Sequence, residues 1–338
     1  FVMAIYDLYG LGNALVDTEY HVTDSVLASL GIEKGMMTLI DDQRLETLDG
    51  FLQDHAELKK QASGGSAANT LIAAANFGAQ VFYSCKVAND ALGQFYHSDL
   101  VASGVSTNLQ EISAEGSTGR CLVMVTDDAE RTMNTYLGIT GDLGPHEVDQ
   151  AALAQSRMVY IEGYLASADS ARQAAIKAHQ LARAAQIPVA FTFSDPAMVT
   201  YFRDAVAEII GPGVDLLFCN EQEAMTWTET HSPEDAFDQL GQTAQTWVCT
   251  QGAAGATVFD GVSRHQIPGR SVKAVDTNGA GDMFAGAFLY GRQQHWSFAE
   301  AARFAVYAAS HLVTQFGPRL PLADHRWLLQ EYARTHSA

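Results

Sequence analysis

Positive charge is scarce in this chain. Its 338 residues carry 20 Lys and Arg against 39 Asp and Glu, a formal net charge of −19. A general nucleic-acid binder needs a basic face for phosphate contacts, so that class is excluded. A polybasic membrane-surface segment is excluded for the same reason. Charged residues make up only 17% and apolar ones 47%, which argues against disorder and for a sizeable core. Four cysteines (Cys85, Cys121, Cys219 and Cys249) form no CxxC pair, and eleven histidines show no HExxH spacing. No dedicated zinc site is therefore expected, and the thiols fit a reducing compartment. No apolar run approaches the ~20 residues of a membrane span. No basic start precedes an apolar stretch at the amino terminus, where Met3 is the expected natural start. The reading is a cytoplasmic protein that binds neither nucleic acid nor membrane, with its oligomeric state left open. The acidic excess sets one condition: an anionic substrate must be held by local features, because the global field opposes it.

What is present is a recurring pair, a short apolar strand followed by an Ala-rich helix. Strands are expected at 4–11, 80–85, 157–162, 188–193, 214–219 and 246–250. Helices are expected at 66–77, 169–185, 197–210, 233–244, 280–292, 297–315 and 324–334. Near-continuous apolar strands alternating with helices predict a mostly parallel sheet covered on both faces. Two stretches break the rhythm. Residues 16–24 and 35–40 look like short inserted strands, and 107–139 holds TNLQEI, GRCLVMVT and RTMNTYL, a β-meander pattern without helices. The expected organisation is a core of 1–15, 41–106 and 140–338 with a small β lid of 16–40 and 107–139, placed to cover an active site.

Gly10-Leu11-Gly12 begins like a dinucleotide fingerprint, but Leu15 stands where the third glycine should fall, so the motif fails. No GxxxxGK[ST] loop occurs. The strongest segment is Asp276-Thr277-Asn278-Gly279-Ala280-Gly281-Asp282 before the apolar run MFAGAFLYG. Small residues at a helix start leave N–H groups bare, and with the helix dipole these make an anion site. Asp282 then falls in the first turn, placed to accept a proton from an attacking hydroxyl. A plain glycine-rich turn with a favourable first-turn Asp fits the same residues. Gly64-Gly65-Ser66-Ala67-Ala68-Asn69 opens another helix; it suits close backbone approach to a polar ligand, or equally a loop with Ser66 as N-cap. Asn220 and Glu223 follow the strand VDLLFC, where they could orient magnesium through its waters or simply cap a helix. Thr250-Gln251-Gly252 could turn against a phosphate. Asp17, after Asn13, could grip a pair of hydroxyls. Each also fits an ordinary turn or loop.

In order, GNALVD, GGSAAN, NEQE, TQG and DTNGAGDMFAGAFL resemble the PfkB (ribokinase-like) carbohydrate and nucleoside kinase family over nearly the whole chain. GNALVD, ERTMNTYLG and YIEGYL look most like its adenosine-kinase branch. The resemblance implies a ribokinase-like three-layer α/β/α core with a small β lid, ATP as donor, and magnesium as cofactor. It implies Asp282 as base and the amides of Gly279, Ala280 and Gly281 as anion hole. Asn220 and Glu223 would match a magnesium element, with Asn220, Thr250 and Gly252 beside ATP. Asn13, Asp17, Gly64, Gly65 and Asn69 would hold the ribose or sugar. Arg131 would reach the phosphate from the lid, and Tyr164 would stack on a base. Asp276 lies near the family's ion loop, which makes a monovalent cation a further candidate. Leu71 and Ala88 depart from the family pattern, which usually has a small residue and a glycine there. The expected reaction is γ-phosphoryl transfer from ATP to a primary hydroxyl of an adenosine-like nucleoside. A sugar kinase acting on ribose, fructose or a sugar acid is the alternative. A non-catalytic nucleoside- or nucleotide-binding regulator comes next, and a hydride-transfer enzyme last.

Overall fold

The computed structural model describes residues 4–109 and 114–336. Met3 and residues 110–112 of TNLQEI lie outside the described residues. The strands are β1 (Leu8–Leu11), β2 (Leu15–His21), β3 (Met37–Leu39), β4 (Glu57–Gly64), β5 (Val81–Ser84), β6 (Val105–Thr107), β7 (Gly119–Val125), β8 (Arg131–Tyr136), β9 (Val159–Glu162), β10 (Val189–Thr192), β11 (Val214–Asn220), β12 (Ala244–Thr250), β13 (Gly255–Phe259) and β14 (Arg264–Pro268). Nine form one sheet in the order β14-β13-β12-β11-β10-β9-β1-β5-β6, and five form a second in the order β3-β8-β7-β2-β4. From β12 to β6 every neighbouring pair is parallel, while β13 runs antiparallel to both its neighbours. The large sheet is the mostly parallel one expected from the alternation of apolar strands and helices, and the α/β arrangement is the ribokinase-like one that the resemblance implied. Strands such as β1, β9 and β10 are buried at every position, as parallel strands covered on both faces must be.

Several details differ from the sequence reading. The strand expected at 16–24 ends at His21, and Asp24–Ser29 is a helix. Val105–Thr107 pairs with β5 in the large sheet, so the meander begins only at Gly119. The small sheet also takes in β4, which lay within the expected core. The ELKKQASG sequence of β4 hid it: this is an edge strand whose first half is mostly polar and exposed, the composition that discourages edge-to-edge pairing. The helix expected at 197–210 is two, Pro196–Tyr201 and Arg203–Ile210. Among the described residues, no helix is long and apolar enough to cross a membrane.

Alternation gives the small sheet two different faces. Leu122 and Met124 of β7 pack with Tyr20 against Leu45, Leu48 and Leu52 of the helix Asp42–His55. Cys121, Val123 and Val125 point the other way, with Leu15 of β2. Behind the site, the helices Ser66–Phe77 and Ala280–Gln293 lie very close. A Cβ at Gly286 would stand 2.5 Å from the Thr70 carbonyl oxygen, so glycine at that contact permits the approach.

Candidate active site

The failed fingerprint has a packing explanation. A Cβ at Gly10 would lie 2.3 Å from Leu71 Cδ1, and one at Gly12 would lie 2.6 Å from both Ala67 Cβ and Glu162 Oε2. Both glycines make room for the helix Ser66–Phe77, and Gly10 accommodates the larger Leu71. Glu162, at the end of β9, is fully buried. It accepts from the Asn13 amide (2.6 Å) and the Ala67 amide (2.7 Å), tying the loop after β1 to that helix. Burial pushes its pKa to about 8 although both amide bonds act to lower it. Sequence reasoning passed over this residue. The available signal was a carboxylate at the carboxyl end of a parallel strand, where α/β sheets place their sites.

A cavity of about 450 Å³ opens over the carboxyl ends of β1 and β9–β12, between the large sheet and the small one. It brings together Asn13, Asp17, Gly65, Asn69, Arg131, Tyr164, Asn220, Glu223, Thr250, Gly252 and the turn Gly279–Asp282. Gly64 stands just behind: a Cβ there would meet the Asp17 carboxyl group at 2.1 Å. Gly65, at φ +95°, brings its backbone against the Asn13 carbonyl, a conformation that favours glycine. Gly65 is also the N-cap of its helix, so Ser66 is the first helical residue and not the cap. Its hydroxyl instead donates to Asp282 Oδ1 at 2.7 Å, while Asn69 Nδ2 donates to Oδ2 at 3.3 Å.

Asp282 sits in the first turn of the helix Ala280–Gln293. Burial raises its pKa to about 6, opposed by the Ser66 and Asn69 hydrogen bonds and by Arg131. Its carboxylate therefore holds a proton more readily than a surface aspartate while remaining mostly ionised near neutrality, the range useful to a base. Asp17 is buried, and among the described residues no hydrogen bond to its carboxylate enters its environment, only burial and the charges of Arg319, Asp282 and Arg131. Burial lifts its pKa to about 7, with Arg319 the main opposing charge. A buried carboxylate with no protein donor is suited to ligand hydroxyls.

Gly279 has φ +72°, and a Cβ there would strike Pro318. Among the described residues a Cβ at Gly281 would meet nothing within 4 Å, so this glycine faces open space in the cavity. The Ala280 amide donates to the Thr277 carbonyl at 3.2 Å, a long bond that closes the turn. The first amides of a helix otherwise lack intrahelical acceptors, and the dipole adds positive potential there. Arg131 supplies the cation opposite. Its guanidinium makes no ion pair among the described residues and contacts Met133 Sδ at 3.3 Å. Burial disfavours its charge, but Tyr164, Asp195 and Asp282 outweigh that and raise its pKa. Tyr164 Oη lies 3.4 Å from both the Ser194 carbonyl and Asp195 Oδ2.

Asn220 and Glu223 form a full capping box. The Glu223 amide donates to Asn220 Oδ1 (2.8 Å), the Asn220 amide to Glu223 Oε2 (2.9 Å), and Asn220 Nδ2 to Glu223 Oε1 (2.9 Å). Both carboxylate oxygens are thus engaged. With both oxygens taken, any divalent ion beside this pair would have to be held through its waters rather than in a closed cage. Asp276 is similarly occupied: its oxygens accept from the Asn278 and Gly317 amides, each at 2.8 Å.

Comparison with known proteins identifies the family. The model of the pfkB family of carbohydrate kinases matches residues 36–325. The crystal structure of adenosine kinase from Sinorhizobium meliloti is 35% identical, with a TM-score of 0.92 over 98% of this chain and 100% of that one. A probable sugar kinase from Rhizobium etli is 32% identical, with a TM-score of 0.90 over 99% of each chain. Adenosine kinase of Saccharomyces cerevisiae is 28% identical over 332 residues, 92% of this chain and 96% of that protein. The chain belongs to the pfkB carbohydrate kinase family, and its enzyme class is phosphotransfer to an alcohol group.

Proposed function

We propose that the protein transfers the γ-phosphoryl group of ATP to a primary hydroxyl of an adenosine-like nucleoside. The observation that carries the phosphoryl-transfer chemistry is the Asp282 carboxylate, oriented by Ser66 and Asn69 beside the bare helix start at Gly281. Asp282 would take the proton of the attacking hydroxyl as the O–P bond forms. The Gly279 and Gly281 amides, with the longer-bonded Ala280 amide, would receive the transferring group, and Arg131 would add charge from the lid side. Magnesium beside Asn220 and Glu223 would neutralise charge on the ATP phosphates. Thr250 and Gly252, at the end of β12, would turn against the nucleotide, and Asp17 with Asn13 and Asn69 would hold sugar hydroxyls.

The nucleoside reading rests on the lid face of the cavity. Leu15, Met37, Leu39, Met133 and Leu137 line it with Tyr164 on the far wall. These side chains suit the flat faces of a base, whereas a bare sugar would leave them without a partner. A sugar acceptor is the second reading, supported by the likeness to the probable sugar kinase. ATP consumption over a panel of nucleosides and sugars separates the two. Highest kcat/KM on a purine nucleoside supports the first, and highest kcat/KM on a sugar replaces it with the second.

A further inference from the structure

Strand β2 carries a second acid on the same face as Asp17. Residues two apart on a strand point the same way, so Asp17 and Glu19 share one side of β2. Asp17 faces the cavity, whereas Glu19 is 1% exposed and reaches the core. Its Oε1 accepts from the side-chain amide of Asn278, within the turn that leads into Gly279–Asp282. Among the described residues its Oε2 has no hydrogen-bond partner. The Asn278 backbone amide is fixed separately by Asp276, which also holds Gly317. One strand of the lid thus presents one carboxylate to the acceptor pocket and the other to the start of the anion-binding turn.

A buried, half-satisfied carboxylate is a costly way to join two elements, since an apolar contact would hold them with no polar group left unpaired. Burial and the nearby Asp276 and Asp17 charges work against its ionised form, while Asn278 and Lys60 favour it. What this arrangement supplies in exchange is direction. A hydrogen bond to the Asn278 side chain fixes how β2 sits relative to the turn, and so how the Asp17-bound acceptor meets the anion-binding amides.

We propose that Glu19 is a positioning residue for phosphoryl transfer, aligning the lid-held acceptor with the Gly279–Gly281 turn through Asn278. The inference rests on the reading of that turn given under Proposed function. It assigns Glu19 no contact with substrate. Its loss therefore lowers turnover on bound substrates more than it weakens their binding, because a misplacement of ~1 Å can cost on the order of 10²-fold in rate.

The test compares Glu19→Ala, Glu19→Gln, Asn278→Ala and the double variant Glu19→Ala/Asn278→Ala with the wild-type enzyme. ATP and adenosine are the substrates, with ribose replacing adenosine if the acceptor panel selects a sugar. Glu19→Ala is expected to lower kcat on the order of 10²-fold with acceptor KM within about threefold. Glu19→Gln, whose amide oxygen still accepts from Asn278, should recover most of that loss. The double variant should be no worse than either single one, as for two residues acting through one bond. Hydrogen exchange of the 276–281 amides, which needs no turnover, should quicken in Glu19→Ala and not in Glu19→Gln. If Glu19→Ala does not fold, Asn278→Ala removes the same bond from the other side and is judged by the same criteria. Unchanged kcat with unchanged exchange overturns the inference, as do additive losses in the double variant. Asp282→Asn, assayed in parallel, keeps the two claims apart: full activity there sinks the reading of the turn, while an inactive Asp282→Asn beside a fully active Glu19→Ala sinks this inference alone.

Discussion

Replacing Gly64 by alanine tests the placement of Asp17 with a single methyl group. The added Cβ would lie 2.1 Å from Asp17 Cγ and 2.2 and 2.3 Å from its two oxygens. Ordinary carbon contacts begin near ~3.5 Å, so the carboxylate has to withdraw by about 1 Å or more. Gly64 does not adopt a left-handed φ, and its carbonyl bond to Tyr96 Oη, at 2.8 Å, involves no side chain of its own. The backbone can therefore accept alanine, and the effect falls on the Asp17 side chain. Overpacking of this kind costs stability by roughly 1–3 kcal/mol, which leaves a folded enzyme to assay. If Asp17 binds the acceptor hydroxyls as proposed, a displacement of that size is expected to lower acceptor kcat/KM on the order of 10²-fold, or about 2.7 kcal/mol of transition-state binding. The assay varies the acceptor at saturating ATP, with ATP affinity measured separately by calorimetry. ATP affinity should hold, since Asn220, Thr250 and Gly252 belong to other strand ends. Acceptor kcat/KM within about threefold of wild type would refute the role given to Asp17.

Gly281→Ala should fold at least as well as wild type, because its Cβ meets nothing within 4 Å and alanine is favoured over glycine in a helix by up to about 1 kcal/mol. Turnover should nevertheless fall at least tenfold as the methyl enters the anion site; thermal melts and kcat measured on one preparation check both halves. The base must be unprotonated, and burial raises Asp282 to about 6 and Asp17 to about 7. Free-enzyme kcat/KM should therefore rise with pH through the interval between 6 and 7 and level off above it, and a profile flat down to pH 5 would contradict this. Glu162→Gln leaves either the Asn13 or the Ala67 amide facing an NH2 group. At pH 9, above the pKa of about 8, where Glu162 is mostly ionised, it should cost about 1–3 kcal/mol or more in denaturant unfolding, and an unchanged midpoint there would show the carboxylate to be dispensable.

Much of this site was legible because its chemistry depends on backbone exposure. Small residues at Gly64, Gly65, Gly279 and Gly281 announce close approaches that few other constraints explain, and Asp282 falls where a helix start places it. What escaped notice depends on tertiary proximity. Glu162 is the single acid of an apolar strand and Glu19 the second acid of a mixed one, and nothing local says that one ends against two amides and the other against Asn278. A helix cap was one of two equal readings of Ser66, but the left-handed Gly65 fills that position and frees its hydroxyl for Asp282. Asn220 and Glu223 were ambiguous for a physical reason: the capping box fixes the same carboxylate that would hold water around magnesium. β4 hid because its charged edge sequence lacks apolar alternation, and β13–β14 went unread. The net charge of −19 says nothing about the acceptor; in the proposed mechanism the helix-start amides and Arg131 would hold the phosphoryl group locally.

The central claim is that Asp282 drives phosphoryl transfer from ATP to a nucleoside hydroxyl. Its most direct test is ATP-dependent product formation by wild type and Asp282→Asn over adenosine, other nucleosides, ribose, fructose and sugar acids. The account predicts highest kcat/KM on adenosine or a near analogue, and a loss of ~10²–10⁴-fold in Asp282→Asn with ATP affinity retained. Preferred turnover of a sugar, or near-normal turnover by Asp282→Asn, would contradict it.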